Sequence, residues 1–161
     1  MINNEPLLMF RRQPNAVASV TGSAKYPNLR GNVMFYNTNR GTVVRAEITG
    51  LPRTNDICRQ PVFGFHIHAG ESCTGTAEEP FADADGHFNP DNCKHPYHAG
   101  DMPPLFGADG RALLVFLSDR FSVRDIIGKT VIIHAHPDDF TTQPSGNSGE
   151  MIACGKINRF R

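Results

Sequence analysis

Thr42-Val43-Val44-Arg45-Ala46-Glu47-Ile48-Thr49 (TVVRAEIT) alternates, with Val44, Ala46 and Ile48 falling on one face. A period of two marks a strand with one side in a core. Segments of the same kind recur at Ala16 to Gly22, Asn32 to Tyr36, Val62 to His68, Ala112 to Leu117, Thr130 to His136 and Met151 to Ile157. Turn-forming clusters separate them: Tyr26-Pro27-Asn28, Asn37 to Gly41, and Ala108-Asp109-Gly110. No stretch sustains a helical period. Short strands at fairly regular spacing predict an all-β sandwich or barrel. With no internal repeat and no domain boundary, residues 1–161 read as a single domain, the first fifteen forming a loose N-terminal extension.

The segment from Ala69 to Gly107 breaks that rhythm. It is rich in Gly, Pro, Asp and His, and it is too long for an idle connection. Loops of this length are usually functional or disordered, and the ligand-type residues here argue for function. All seven histidines of the chain lie between His66 and His136.

Composition closes off several function classes. Sixteen basic and sixteen acidic residues balance, and no lysine or arginine run marks a nucleic-acid tract. No apolar run is long enough to span a membrane. The short apolar patch Pro6 to Phe10 precedes Arg11 and Arg12, whereas a secretion signal carries its positive charge first. The expected compartment is therefore the cytoplasm, or an extracellular or periplasmic space if a signal has been removed. Of the four cysteines, Cys58, Cys73, Cys93 and Cys154, no pair has CxxC spacing. On composition alone, four free, partly buried thiols are expected.

The chemistry begins at Gly64-Phe65-His66-Ile67-His68. On a strand His66 and His68 project together while Phe65 and Ile67 enter the core, which makes half of a copper or zinc site. His87 follows in Gly86-His87-Phe88-Asn89-Pro90. Then His95-Pro96-Tyr97-His98-Ala99-Gly100-Asp101 sets His-x-x-His-x-x-Asp on a compact stretch. Imidazole nitrogen and carboxylate oxygen are standard zinc donors, and His87 is the candidate for a fourth. His134 ends the run Thr130-Val131-Ile132-Ile133-His134 and can complete the His66/His68 pair. Asp138 is a candidate acceptor that fixes a ligand imidazole through its other N–H. His136, just before Pro137, is expected at the solvent-exposed surface. Asp83-Ala84-Asp85-Gly86 looks like the middle of a calcium loop, but Phe81 and Asn92 stand at its end positions. GxSxG, P-loop and HExxH motifs are absent.

GFHIH, Cys73, GHFNP, HAGD, IIGKTVIIHAHPDD, GNSG and ACGKI together resemble the copper–zinc superoxide dismutase family, in order and in detail, from about Ala16 to Ile157. The resemblance implies an eight-stranded Greek-key β-barrel of immunoglobulin-like sandwich type with a long metal-binding loop. It implies copper on His66, His68, His87 and His134, and zinc on His87, His95, His98 and Asp101, with His87 shared. These copper-side histidines would be the catalytic residues. Asp138 would link a copper-ligand histidine to a zinc-ligand one, and Cys73 would pair with Cys154. Cys58 and Cys93 match no family position, so a second disulfide and two free thiols are equally expected. The implied reaction is dismutation of superoxide to dioxygen and hydrogen peroxide by cycling copper, with zinc structural and His87 acting as both ligand and proton relay. A homodimer is one of the assemblies the family uses.

This sequence departs from the family pattern in three places. The family carries an arginine three residues before its last disulfide cysteine, where this chain has Met151 preceded by Glu150. The segment Phe140 to Gly146 lacks the lysines that usually ring the channel, and the stretch between His95 and His98 is trimmed to two residues. The replacement of that arginine by Met151 leaves a second expectation beside the enzyme: a copper/zinc protein of the same fold that stores or delivers copper with little dismutase activity. A zinc-stabilised structural domain is disfavoured by the complete set of four copper ligands.

Overall fold

A computed structural model describes residues 12–59 and 61–161. The strands are β1 (Ala16–Gly22), β2 (Arg30–Thr38), β3 (Gly41–Thr49), β4 (Val62–Phe63), β5 (Phe65–His68), β6 (Leu105–Phe106), β7 (Arg111–Ser118), β8 (Thr130–His134) and β9 (Met151–Arg159). One helical turn, α1 (Val123–Ile126), and a 3₁₀ turn at Ala82–Ala84 complete the described elements. Of the expected N-terminal extension, Met1 to Arg11 lies outside the described residues. Asn15 within it is held, its N–H donating to Phe35 O and its Oδ1 accepting from the Asn37 N–H.

Seven strands form one curled antiparallel sheet in the order β5-β8-β9-β1-β2-β3-β7, and β4 pairs with β6 beside it. Since β4 and β5 are one run interrupted at Gly64, the strands among the described residues number eight when that run is counted once, in keeping with the all-β barrel expected. The Greek-key crossings lie in the neighbour list: β3 pairs with β7 and β1 with β9, although neither pair is consecutive.

The alternation that located β3 is a core pattern. Thr42, Val44, Ala46 and Ile48 are buried, with outward partners between them. Their cross-strand neighbours on β2 and β7 continue the core, as in Phe35 opposite Val44 and Val33 opposite Ala46. Burying each large aliphatic or aromatic side chain contributes about 1.5–3 kcal/mol, which makes this face the main source of stability.

Strands β5 and β8 behave differently, because every residue of both is buried. Their inward residues, Phe65, Ile67, Val131 and Ile133, join the main core. Behind β8, Ile132 packs with Phe81, Ala84 and Cys154 in a second apolar cluster, with Cys73 and Met151 at its margin. The long 69–107 segment therefore covers the outer face of the sheet. An apolar run without alternation is what a strand buried on both faces requires.

The expected strand to His136 stops at His134, where the register with β9 shifts after Ile133. Such irregularities re-aim side chains beside functional sites. His136 itself is exposed, as expected.

Candidate metal centre

Strand β5 has β8 on one edge and the long segment on the other. The Phe88 N–H donates to Ile67 O, the Ile67 N–H to Gly100 O, and the Gly100 N–H to Phe88 O. This three-way lacing sets His87 opposite His68 and Asp101 opposite His66. It also explains Gly100, since a Cβ there would lie 2.2 Å from Ile67 O. The segment is fixed at its other end by the disulfide between Cys73 and Cys154, whose Cα atoms are 5.7 Å apart. The pairing that the resemblance implies is thus present, and the composition-only expectation of a free thiol fails for Cys73 and Cys154, while Cys58 and Cys93 are free and exposed rather than partly buried. Neither spacing nor composition distinguishes the two pairs, whereas the fold brings only one of them together.

Two ligand-type groups result. His66, His68, His87 and His134 each offer one donor atom within 4.8 Å of the others, and so do His87, His95, His98 and Asp101. Every side chain singled out as a ligand falls in one of these groups, and His87 belongs to both. Its ring is 3.9 Å from that of His66 and 5.4 Å from that of His98, centre to centre.

The hydrogen bonds select the nitrogen that each ring leaves for a metal. His66 Nε2 is 2.8 Å from Asp138 Oδ2, which leaves Nδ1. His68 Nδ1 donates to Asp85 O at 2.6 Å and His134 Nδ1 to Gly149 O at 3.1 Å, so their Nε2 atoms, 3.3 Å apart, face each other. His95 Nε2 is 2.9 Å from Asp138 Oδ1, leaving Nδ1. His87 Nδ1 is 2.8 Å from Asp101 Oδ1 and 3.4 Å from His98 Nδ1, leaving Nε2 for the first group. Asp138 therefore ties one ring of each group. Anchoring one imidazole nitrogen on an oxygen orients the ring and raises the basicity of the other.

A fit to metals can be tested from what is left unpaired. Three of the buried side-chain atoms without a hydrogen-bond partner are His66 Nδ1, His87 Nε2 and His95 Nδ1. Buried polar atoms are normally satisfied, and one left alone costs about 1–3 kcal/mol. Three such atoms converging inside two donor groups fit metal ions and fit a plain hydrogen-bond network poorly. An all-imidazole set suits copper, and a set of three imidazoles and one carboxylate suits zinc.

Electrostatics point the same way. Burial lowers His66, although its hydrogen bond to Asp138 opposes the shift. Burial, aided by the neighbouring His134 and His87, holds His68 well below the usual range. Burial and the charge of His66 bring His134 down to about 3, and burial also lowers His98. These rings are neutral near pH 7, the form that binds metals. Burial raises Asp101, but the hydrogen bond and charge of His87, then the charges of His98 and His95, outweigh it and keep the carboxylate ionised. Burial likewise raises Asp138, yet its bonds from His66, the Phe140 N–H and His95 bring it to about 2.

Sequence reasoning missed the carbonyls of Asp85 and Gly149 as imidazole anchors, because a backbone acceptor carries no residue signature. The calcium-like Asp83 is engaged by the Thr74 hydroxyl.

A β-barrel holding two donor sets that meet at one histidine defines a dinuclear metalloprotein. The sequence profile of the family described as copper/zinc superoxide dismutase (SODC) matches residues 29–157. The chain belongs to this family, whose members use copper and zinc. It is 32% identical over 142 residues to "Superoxide dismutase [Cu-Zn] 2" of Aquifex aeolicus, covering 79% of this chain and 78% of that one. It is 32% identical over 135 residues to "Superoxide dismutase [Cu-Zn]" of Legionella pneumophila, covering 79% and 76%. A "Superoxide dismutase-like protein YojM" of Bacillus subtilis is 38% identical over 109 residues, covering 58% of this chain and 54% of that one. Among the described residues no helix is long and apolar enough to cross a membrane.

Proposed function

We propose that this chain dismutates superoxide. Copper would be held by His66 Nδ1 and by Nε2 of His68, His87 and His134. Zinc would be held by Nδ1 of His87, His95 and His98 and by Asp101. The observation that carries this reading is His87, whose Nδ1 is committed to the Asp101 side while its buried Nε2 has no partner. The chemistry copper supplies when bound is one-electron exchange, by which two superoxide ions and two protons become one dioxygen and one hydrogen peroxide.

The chain's own residues then have definite tasks. His66, His68 and His134 are held against Asp138 and two carbonyls, so they keep their positions while charge changes beside them. His87 Nε2 is the atom at which a proton can be held and released, because its ring is already fixed through Nδ1. Asp101 bears on His87 and, at 3.2 Å, on His95, so the zinc set determines the orientation of the relay.

A second reading, copper storage or delivery with little turnover, draws on one observation. Met151 stands opposite His134 in the β8–β9 register and packs at the margin of the Phe81–Cys154 cluster, where the family carries its arginine. Its neighbour Glu150 is paired with Lys25 at 2.8 Å, so that lysine's charge is compensated locally. Without a fixed cation at Met151, attraction of an anionic substrate is weaker, a factor of about 10 or more in on-rate.

The test is superoxide decay with protein of known metal content. Many superoxide ions consumed per chain, with one copper and one zinc bound, support the enzyme. Decay that stops at one equivalent per copper supports storage.

A further inference from the structure

The segment between β8 and β9 grips His95 twice. Asp138 takes its ring, and Gln143 takes its backbone. The His95 N–H donates to Gln143 Oε1 at 3.0 Å, and Gln143 Nε2 donates to His95 O at 2.7 Å. An exposed side-chain amide thus does for His95 what a neighbouring strand does for a ladder residue, satisfying both of its main-chain groups. The two residues are 48 positions apart, so no local turn enforces the contact.

The segment is shaped for this reach. Asp139 Oδ1 accepts from the N–H groups of Thr141 and Thr142 and Oδ2 accepts from the Thr142 hydroxyl, which closes the turn that presents Gln143, while the Thr141 hydroxyl adds only a 3.2 Å contact to the already occupied Oδ1. The Gly146 N–H then returns to Thr142 O. At Gly146 a Cβ would lie 2.0 Å from Asp138 Oδ1 and 2.7 Å from His95 Nε2, and φ is +70°, so the chain passes as close to the His95–Asp138 pair as a backbone can.

We propose that Gln143 is a positioning residue for the zinc site, fixing His95 through its backbone while Asp138 fixes it through its ring. The trimmed stretch between His95 and His98 gives this contact its purpose. With two residues between ligands, a shift of the His95 backbone passes directly to His98, and Gln143 prevents it. This inference rests on the zinc reading of His87, His95, His98 and Asp101. It predicts that the β8–β9 segment and zinc retention are coupled, although Gln143 touches no donor atom.

The experiment uses full-length protein loaded with zinc, or with Co(II) as a spectroscopic stand-in. Release to excess chelator is followed in the parent, Gln143→Ala and Thr141→Ala. The last variant removes a hydroxyl from the same turn without touching His95. Loss of a residue that supports a ligand typically costs 10- to 100-fold in metal affinity. Gln143→Ala should release the metal about 10-fold faster and change the visible Co(II) bands, while Thr141→Ala stays within about 2-fold of the parent. Metal-free Gln143→Ala should remain folded, melting only a few degrees below the metal-free parent because two hydrogen bonds are lost. Unchanged release and Co(II) bands in Gln143→Ala, or equal acceleration in Thr141→Ala, would overturn the assignment. A parent that binds neither ion would instead overturn the zinc reading itself, and this inference with it.

Discussion

Replacing both Cys73 and Cys154 with alanine should lower the melting temperature of the metal-free protein by about 10–15 °C. The bridge closes a loop of 81 residues. In the chain-entropy treatment, such a closure removes about 15 cal/mol/K from the unfolded ensemble, or about 4.5 kcal/mol at 25 °C. A chain of 161 residues unfolds with an entropy of about 340 cal/mol/K, so that free energy corresponds to about 13 °C. The variant should still fold, because Phe81, Ala84 and Ile132 keep the loop's apolar anchor on the sheet. Calorimetry of the metal-free variant beside the metal-free parent, with and without reductant, makes the comparison. Reduction of the parent should reproduce the shift without any substitution. A difference below about 3 °C by both routes would show instead that packing, not the covalent tie, holds the 69–107 segment in place.

Asp138→Asn should weaken zinc binding by about 10- to 100-fold in a chelator competition, because the carboxylate holds His66 and His95 together; unchanged affinity would remove Asp138 from the site's support. Met151→Arg should raise the superoxide rate by about 10-fold at low ionic strength, with the gain shrinking as salt is added; no gain in the fully metallated variant would show that steering does not limit this protein. Acid should destabilise the metal-free protein from about pH 6.5 downward. The folded value of His134 is about 3 against roughly 6.5 unfolded, so its contribution is complete above pH 6.5 and is lost as pH falls toward 3. Asp138, at about 2 when folded, adds a further loss below about pH 4. Melting temperatures measured from pH 8 to pH 4 should fall on the acid side, and a flat profile would contradict the buried neutral histidines.

Much of the site was legible because its donors are side chains with a chemical signature. The HxH of β5 and the His-x-x-His-x-x-Asp of the long segment announce ligands, and the alternation in β3 announces a core face. The partition into two groups sharing His87 depended on the family resemblance, since spacing alone leaves the fourth ligands open. Several features were not legible. The two-residue strand β6 is too short to show a period, and α1 is a single turn. The Asp85 and Gly149 carbonyls act through backbone positions that any residue could occupy. Gln143 reads as an ordinary loop glutamine until the fold carries it across 48 residues to His95. The end of β8 was overextended because His136 continues the alternation, while the register shift after Ile133 ends the ladder.

On the proposed reading, one imidazole, that of His87, joins two metal sites. The Cu(II) electron paramagnetic resonance spectrum with Co(II) in place of zinc reports on that shared ring. Two paramagnetic ions sharing that ring exchange-couple, so the Cu(II) signal seen with zinc should be lost with cobalt and return in His87→Ala. A full-strength Cu(II) signal with one cobalt and one copper bound per chain would contradict it.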